Sequence, residues 1–153
     1  MSVEVWTDGA CFPNPGKGGW GWVTKEGQQN SGYEEKSTNQ RMEMLAVIDA
    51  IQTLHRPGVL VRVFTDSMFV IDGSTKWMQG WKENGWVRKK GEVKNLDLWL
   101  MIDECLQHAL VQFKWVKGHS GDEMNEKADA LAGNATGFDI SQRRKFERQF
   151  KWR

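Results

Sequence analysis

The chain has 153 residues, 39% of them hydrophobic and 27% charged, a balance that suits one globular domain with a real core and excludes a disordered chain. Its 21 basic and 20 acidic residues leave a net charge of +1, so overall charge names no partner and only local patches can. No apolar run approaches the roughly 20 residues that span a bilayer, no signal-peptide pattern precedes the first strand, and Cys11 and Cys105 are too few for a disulfide framework, so a reduced, cytoplasmic setting without a membrane is expected.

Residues 2–12, 19–27 and about 29–36 read as three strands of a β-meander. The first turn, "TDGACFPNPGKGGWGWV", contains Gly16, Gly18 and Gly21 in the spacing G-x-G-x-x-G. A dinucleotide-binding loop of that pattern must open a helix, because the pyrophosphate rests on the helix N-terminus. Here Trp20, Trp22 and Val23 follow with glycine between them, which reads as strand. A turn built on Asn14, Pro15 and glycines is the better reading.

"STNQRMEMLAVIDAIQTLHRPG" is a helix, with Thr38 or Asn39 as its cap and Pro57-Gly58 as its stop. "VLVRVFTDS" reads as a strand buried on both faces. A helical region starts near Ser67 and runs through a tryptophan-rich stretch, in which Trp77 and Trp99 are expected mainly in the core. "KNLDLWLMIDECLQHAL" is an amphipathic helix, "VQFKWVKG" a strand and "DEMNEKADALAGNA" a last helix. This order predicts an α/β layered domain, a mixed sheet with helices on its faces.

Four carboxylates fit a core badly. "WTDGA" and "VFTDS" each end an apolar run with Thr and then Asp8 or Asp66; functional groups gather outside strand ends, although a lone strand-end Asp also serves turns. Three- and four-residue steps from Glu43 reach Val47, Ala50 and Leu54, so Glu43 lies on the helix stripe that faces the sheet. An inward carboxylate is costly unless paired or bound to metal, the alternative being an edge position that reaches solvent. Asp129 stands between Ala128 and Ala130, small neighbours that permit close approach, and alone it reads equally well as a solvated acid. Together the four repel one another unless cations intervene. Hard divalent ions suit such oxygen ligands, Mg²⁺ first among them. Two ions roughly 4 Å apart would activate a water and stabilise a leaving oxygen in phosphoryl chemistry.

The segments "TDGACFPNPGKGGWG", "TNQRMEMLA", "FTDS", "VKNLDLW" and "WVKGHSGDEMNEKADALA", in this order and spacing, resemble ribonuclease H of type 1, in its bacterial form with a basic protrusion. The resemblance covers about residues 1–136. It implies the RNase H-like fold, a five-stranded mixed sheet (a β-meander, then parallel strands) flanked by helices. It implies a monomeric endonuclease that cleaves the RNA strand of RNA–DNA hybrids, uses two Mg²⁺ ions, or Mn²⁺ in their place, and leaves 3′-hydroxyl and 5′-phosphate ends. Carried over position by position, the catalytic and metal-binding acids fall on Asp8, Glu43, Asp66 and Asp129. A mobile-loop histidine that moves protons or assists product departure falls on His119, against the alternative of an ordinary loop histidine.

The resemblance also implies contacts to the hybrid from Cys11, Asn14, Asn39 and Gln40, since telling RNA from DNA requires contact with 2′-hydroxyls in a shallow minor groove; Thr38 and Asn39 also suit phosphate binding at a helix start. Capping and turn formation are the plainer roles of these residues. Gln40 stands where many relatives have Asn, and Met68 where many have Gln. "KWMQGWKENGWVRKKGEVK" matches the basic protrusion, six cations against two acids between Lys76 and Lys94. Its Lys82 would meet phosphate and its Trp81 a sugar of the DNA strand, although Glu83 stands where relatives often have Lys. Residues 137–153 lie beyond the resemblance, a basic, aromatic appendage with six cations against two acids and no role assigned. Two other readings fit less well: a nuclease of the same fold acting on DNA or single strands, and a hybrid-binding module without catalysis, which would lack one of the four carboxylates.

Overall fold

The computed structural model describes residues 1–88, 90–118 and 122–136. The meander is β1 (Ser2–Phe12), β2 (Gly16–Thr24) and β3 (Gln29–Ser37). Helix α1 (Asn39–Leu54) returns the chain to β4 (Leu60–Thr65). Then come α2 (Met68–Asp72), a π-helical turn (Gly73–Trp77), α3 (Met78–Glu83), and a small ribbon of β5 (Val87–Arg88) and β6 (Gly91–Glu92). Helix α4 (Leu96–His108), β7 (Leu110–Trp115) and α5 (Glu123–Ala135) complete it. The five-stranded sheet has the order β3-β2-β1-β4-β7; the meander pairs are antiparallel, while β1–β4 and β4–β7 are parallel. This is the expected mixed sheet.

The sheet separates two apolar layers, because alternate residues of a strand face opposite sides. On one side Val5, Trp22, Val61 and Val63 pack with Val47, Ile51, Trp99 and Ile102 of α1 and α4. On the other, Trp6 and Val23 pack with Ala128, Phe64 and Leu131 under α5. Glycines in β2 make the second layer possible. A Cβ on Gly21 would sit 2.6 Å from the Leu131 Cβ, and one on Gly19 would strike the Ala132 carbonyl, so α5 lies on the strand backbone itself.

Several details differ from the sequence reading. β2 starts at Gly16, three residues early, because glycine hid a strand that pairs as far as Lys17 with Phe12. β4 alternates between buried and half-buried residues, since α5 leaves the Arg62 side partly open. The tryptophan-rich stretch is not wholly helical: Gly85 and Trp86 take left-handed backbone at φ 66°, and the chain turns there into the ribbon. Trp99 is 1% exposed, as expected for core, but Trp77 is 42% exposed.

Candidate active site

Two neighbouring parallel strands explain the repeated Thr-Asp. Trp6 of β1 is the register partner of Phe64 of β4, and their rings stack at 4.5 Å between centroids. Two residues further along each strand stand Asp8 and Asp66. β4 ends at Thr65, whereas β1 continues to Phe12 with β2 alone. A crevice therefore opens at the carboxyl ends of the parallel strands, the usual site of function in open α/β sheets.

Gly9 brings the third acid. A Cβ there would lie 2.6 Å from the Glu43 backbone nitrogen and would also strike Met42. The first turns of α1 therefore rest on β1 without a side chain between them, and Glu43 comes to Asp8. One carboxylate oxygen from each of Asp8, Glu43 and Asp66 lies within 4.8 Å of the others. Asp8 is 0% and Glu43 6% exposed, and Asp66 is half-buried. Three carboxylates this close in a desolvated place repel one another strongly. The donor set, all oxygen and with one side open, fits a hard divalent cation.

Asp129 lies outside this 4.8 Å group. It is 1% exposed and precedes by two residues Leu131, which sits over Gly21, the register partner of Asp8. Helix α5 thus carries Asp129 at the level of Asp8, on the same face of the sheet. Asp122 fixes the start of α5, its Oδ1 accepting from the Asn125 N–H at 2.9 Å. The loop after β7 passes over Asp66: the Val116 N–H donates to the Thr65 carbonyl at 3.0 Å, and a Cβ on Gly118 would stand 2.5 Å from Asp66 Oδ2. His119, next in the chain, lies outside the described residues.

A polar chain flanks the acids. Asn14 Oδ1 accepts from the Asn39 N–H at 3.2 Å, and Asn39 Oδ1 accepts from the Cys11 N–H at 2.6 Å. The β1–β2 turn is thereby tied to the start of α1, and Asn14 remains exposed. The Cys11 side chain is wholly buried, so its thiol faces the interior and the residue bears on the surface through Asn39. Thr38 caps α1, its Oγ1 accepting from the Arg41 N–H at 3.2 Å. Arg41 forms a bidentate pair with Asp97 of α4, at 2.9 and 2.8 Å. This hydrogen-bonded pair lowers the Asp97 carboxyl from its ordinary value and raises the Arg41 guanidinium.

Gln40 and Trp81, expected to meet substrate, line one hollow of about 320 Å³ with Trp77, Arg88, Lys94 and Trp99. Trp77 and Arg88 also line a second, adjoining hollow together with Val87 of the ribbon; the spacing of Trp77 along a helical stretch gave no sign of this. Lys82 is paired with Asp103 of α4 at 3.0 Å and is not among the residues lining these hollows. Met68 is exposed at the start of α2, one residue after the Ser67 cap.

The family model for RNase H matches residues 1–136. The chain belongs to the RNase H family. The chain is 49% identical over 136 residues to the ribonuclease H of Saccharopolyspora erythraea, covering 86% of this chain and 88% of the relative. It is 48% identical over 136 residues to that of Bordetella pertussis, covering 86% and 87%. Among solved structures, LC9-RNase H1, described as a type 1 RNase H with the type 2 active-site motif, superposes with a TM-score of 0.79 at 32% identity, covering 89% of this chain and 72% of that one. The chain is thus a hydrolase of the ribonuclease H type, and its acidic cluster is compatible with the metal dependence of that family. Among the described residues, no helix is long and apolar enough to cross a membrane.

Proposed function

We propose that this chain cleaves the RNA strand of RNA–DNA hybrids at the Asp8–Glu43–Asp66 crevice, with Asp129 as the fourth acid. The observation that carries the reading is the meeting of three carboxylates within 4.8 Å at the open end of two parallel strands. Two bound Mg²⁺ ions, or Mn²⁺ in their place, would supply an activated water and charge stabilisation of the leaving oxygen, giving 3′-hydroxyl and 5′-phosphate ends. Asp8, within reach of both Glu43 and Asp66, would hold the ions together with Glu43, Asp66 and Asp129. His119, following Gly118 beside Asp66, serves as the proton carrier near neutral pH.

The flanks provide discrimination. Asn14 and Asn39, held to each other and to the Cys11 backbone, present amide groups to the minor groove, where 2′-hydroxyls mark RNA. Thr38 and Asn39 stand at the start of a 16-residue helix, whose positive dipole end favours phosphate. The hollow lined by Gln40, Trp77, Trp81 and Arg88 receives the DNA strand, with cations for phosphate and an indole face for sugar. Lys82 would reach phosphate by exchanging its partner Asp103. The substrate panel that tests this contains a hybrid, the matching DNA duplex and single-stranded RNA, each with Mg²⁺ and with EDTA. Cutting confined to the hybrid and abolished by EDTA is expected. Equal cutting of the DNA duplex would overturn the reading in favour of a DNA nuclease of the same fold.

A further inference from the structure

Both crevice strands place a buried threonine directly before the acid: Thr7 is 1% and Thr65 0% exposed. The two hydroxyls have different partners. The Thr7 hydroxyl stands 3.5 Å from the Phe64 carbonyl, longer than the usual O–H···O range. Thr65 Oγ1 accepts from the Ser67 N–H at 3.1 Å, a threonine turn that spans Asp66.

The difference follows from where each strand stops pairing. Asp8 lies inside a ladder, opposite Gly21 of β2, so the sheet fixes its backbone. Asp66 lies past its ladders: β4 pairs with β1 as far as Phe64 and with β7 as far as Thr65. Ser67 is already the N-cap of α2, its Oγ accepting from the Val70 N–H at 3.2 Å. Asp66 is therefore the single residue between a strand end and a helix cap, and Thr65 ties both sides of it. The Thr65 carbonyl accepts from the Val116 N–H at 3.0 Å, and the Thr65 hydroxyl holds the Ser67 N–H. The space around the carboxylate is narrow, since a Cβ on Gly118 would stand 2.5 Å from Asp66 Oδ2. A rotation of the Asp66 backbone would swing its carboxylate away from Asp8 and Glu43, with which it shares the 4.8 Å group.

We infer that Thr65 is a positioning residue: its hydroxyl, by closing the turn over Asp66, fixes the third carboxylate of the crevice where it can share a cation with Asp8 and Glu43. The inference rests on the reading of the crevice as a metal-dependent cutting site. Thr65 is wholly buried, so it acts through Asp66 and not by meeting the polymer. Thr7 has no such task, because the ladder with β2 already holds Asp8.

The test compares two variants of the full chain. Thr65→Val keeps the volume and removes the hydroxyl; Thr65→Ser keeps the hydroxyl and removes a buried methyl. Mn²⁺ affinity is measured on the protein alone, from the electron paramagnetic resonance signal of the free ion, and hybrid cleavage is measured in Mg²⁺. Thr65→Val is expected to weaken Mn²⁺ binding and to lower kcat, each by about 10- to 100-fold, with KM for the hybrid unchanged. Thr65→Ser should stay close to wild type in both. A residue that only filled the core would give the reverse order, with Thr65→Ser the more damaged. That order, or equal Mn²⁺ affinity in all three proteins (none at all included), would overturn the inference. Should Thr65→Val not fold, Thr65→Ser still decides: loss of Mn²⁺ binding from a folded variant that retains the hydroxyl would also overturn it. A wild type that binds Mn²⁺ and cuts no hybrid would instead defeat the functional reading, while the Mn²⁺ affinities would still judge Thr65.

Discussion

At the scale of single residues, the site depends on atoms that are missing as much as on those present. Gly9 lets the α1 backbone rest on β1 and so delivers Glu43 to Asp8. Gly9→Ala should cost at least about 1–3 kcal/mol by overpacking, read from urea denaturation. Its activity should fall further than its stability, since a 1 Å misplacement near reacting groups costs about 10²-fold. Retention of both would show that α1 is free to shift. Cys105 is buried, and burial pushes its thiol up to about 11; Cys11 is fully enclosed. Thiolate is the reactive form, so neither should react with a thiol reagent at pH 8 in the native state, and both should react once urea unfolds the chain. Asp8 and Asp66 were legible at strand ends, Glu43 and Asp129 as acids on helices, and Asn14, Thr38 and Asn39 as turn and cap residues. The burial of the Cys11 thiol was not, because it follows from Met42 and Gly18 packing on it, a contact between distant segments.

Among elements, the start of α1 is the joint of the molecule. Thr38 caps it, Asn39 ties it to the β1–β2 turn, and Arg41 ties it to α4 through Asp97. Thr38→Ala should cost about 1 kcal/mol. The Arg41–Asp97 pair predicts a pH effect of known sign. The Asp97 carboxyl is lowered in the folded state, so its contribution is fully present above its unfolded value of about 3.9 and is lost as pH falls through the lower folded value. The wild type should therefore lose more stability than Asp97→Asn between pH 7 and pH 2, by a fraction of a kcal/mol because the carboxylate is largely exposed. Identical acid titrations would remove the pair from the account. Most elements were legible from periodicity and punctuation. The ribbon was not, because two strands of two residues leave no periodic trace. β2 was placed over 19–27, three residues late, because Gly16 and Gly18 carry no strand propensity; Gly18 lies against Cys11 and Met42, while Gly19 and Gly21 admit α5 from more than 100 residues away in the chain.

The whole molecule is a sheet with one layer of helices on each face and an acidic crevice where its parallel strands end. The family match ends at residue 136, where Thr136 terminates α5. Deletion of 138–153 should leave cooperative unfolding and cleavage at low salt; loss of cooperative folding would mean the domain boundary is misplaced. The sequence made the fold class and the four acids readable together, because Thr-Asp recurs on strands that turn out to be neighbours in register. It could not show that three of the acids meet more closely than the fourth, since that depends on how α1 and α5 seat on opposite faces. The central claim is that the crevice acids hold the metal that cutting requires. The most direct measurement compares wild type with Asp8→Asn for hybrid cleavage in Mg²⁺ and hybrid binding in EDTA. Cleavage should fall at least about 10³-fold, roughly 4 kcal/mol, with binding within a few-fold of wild type; full cleavage by the variant would contradict the account.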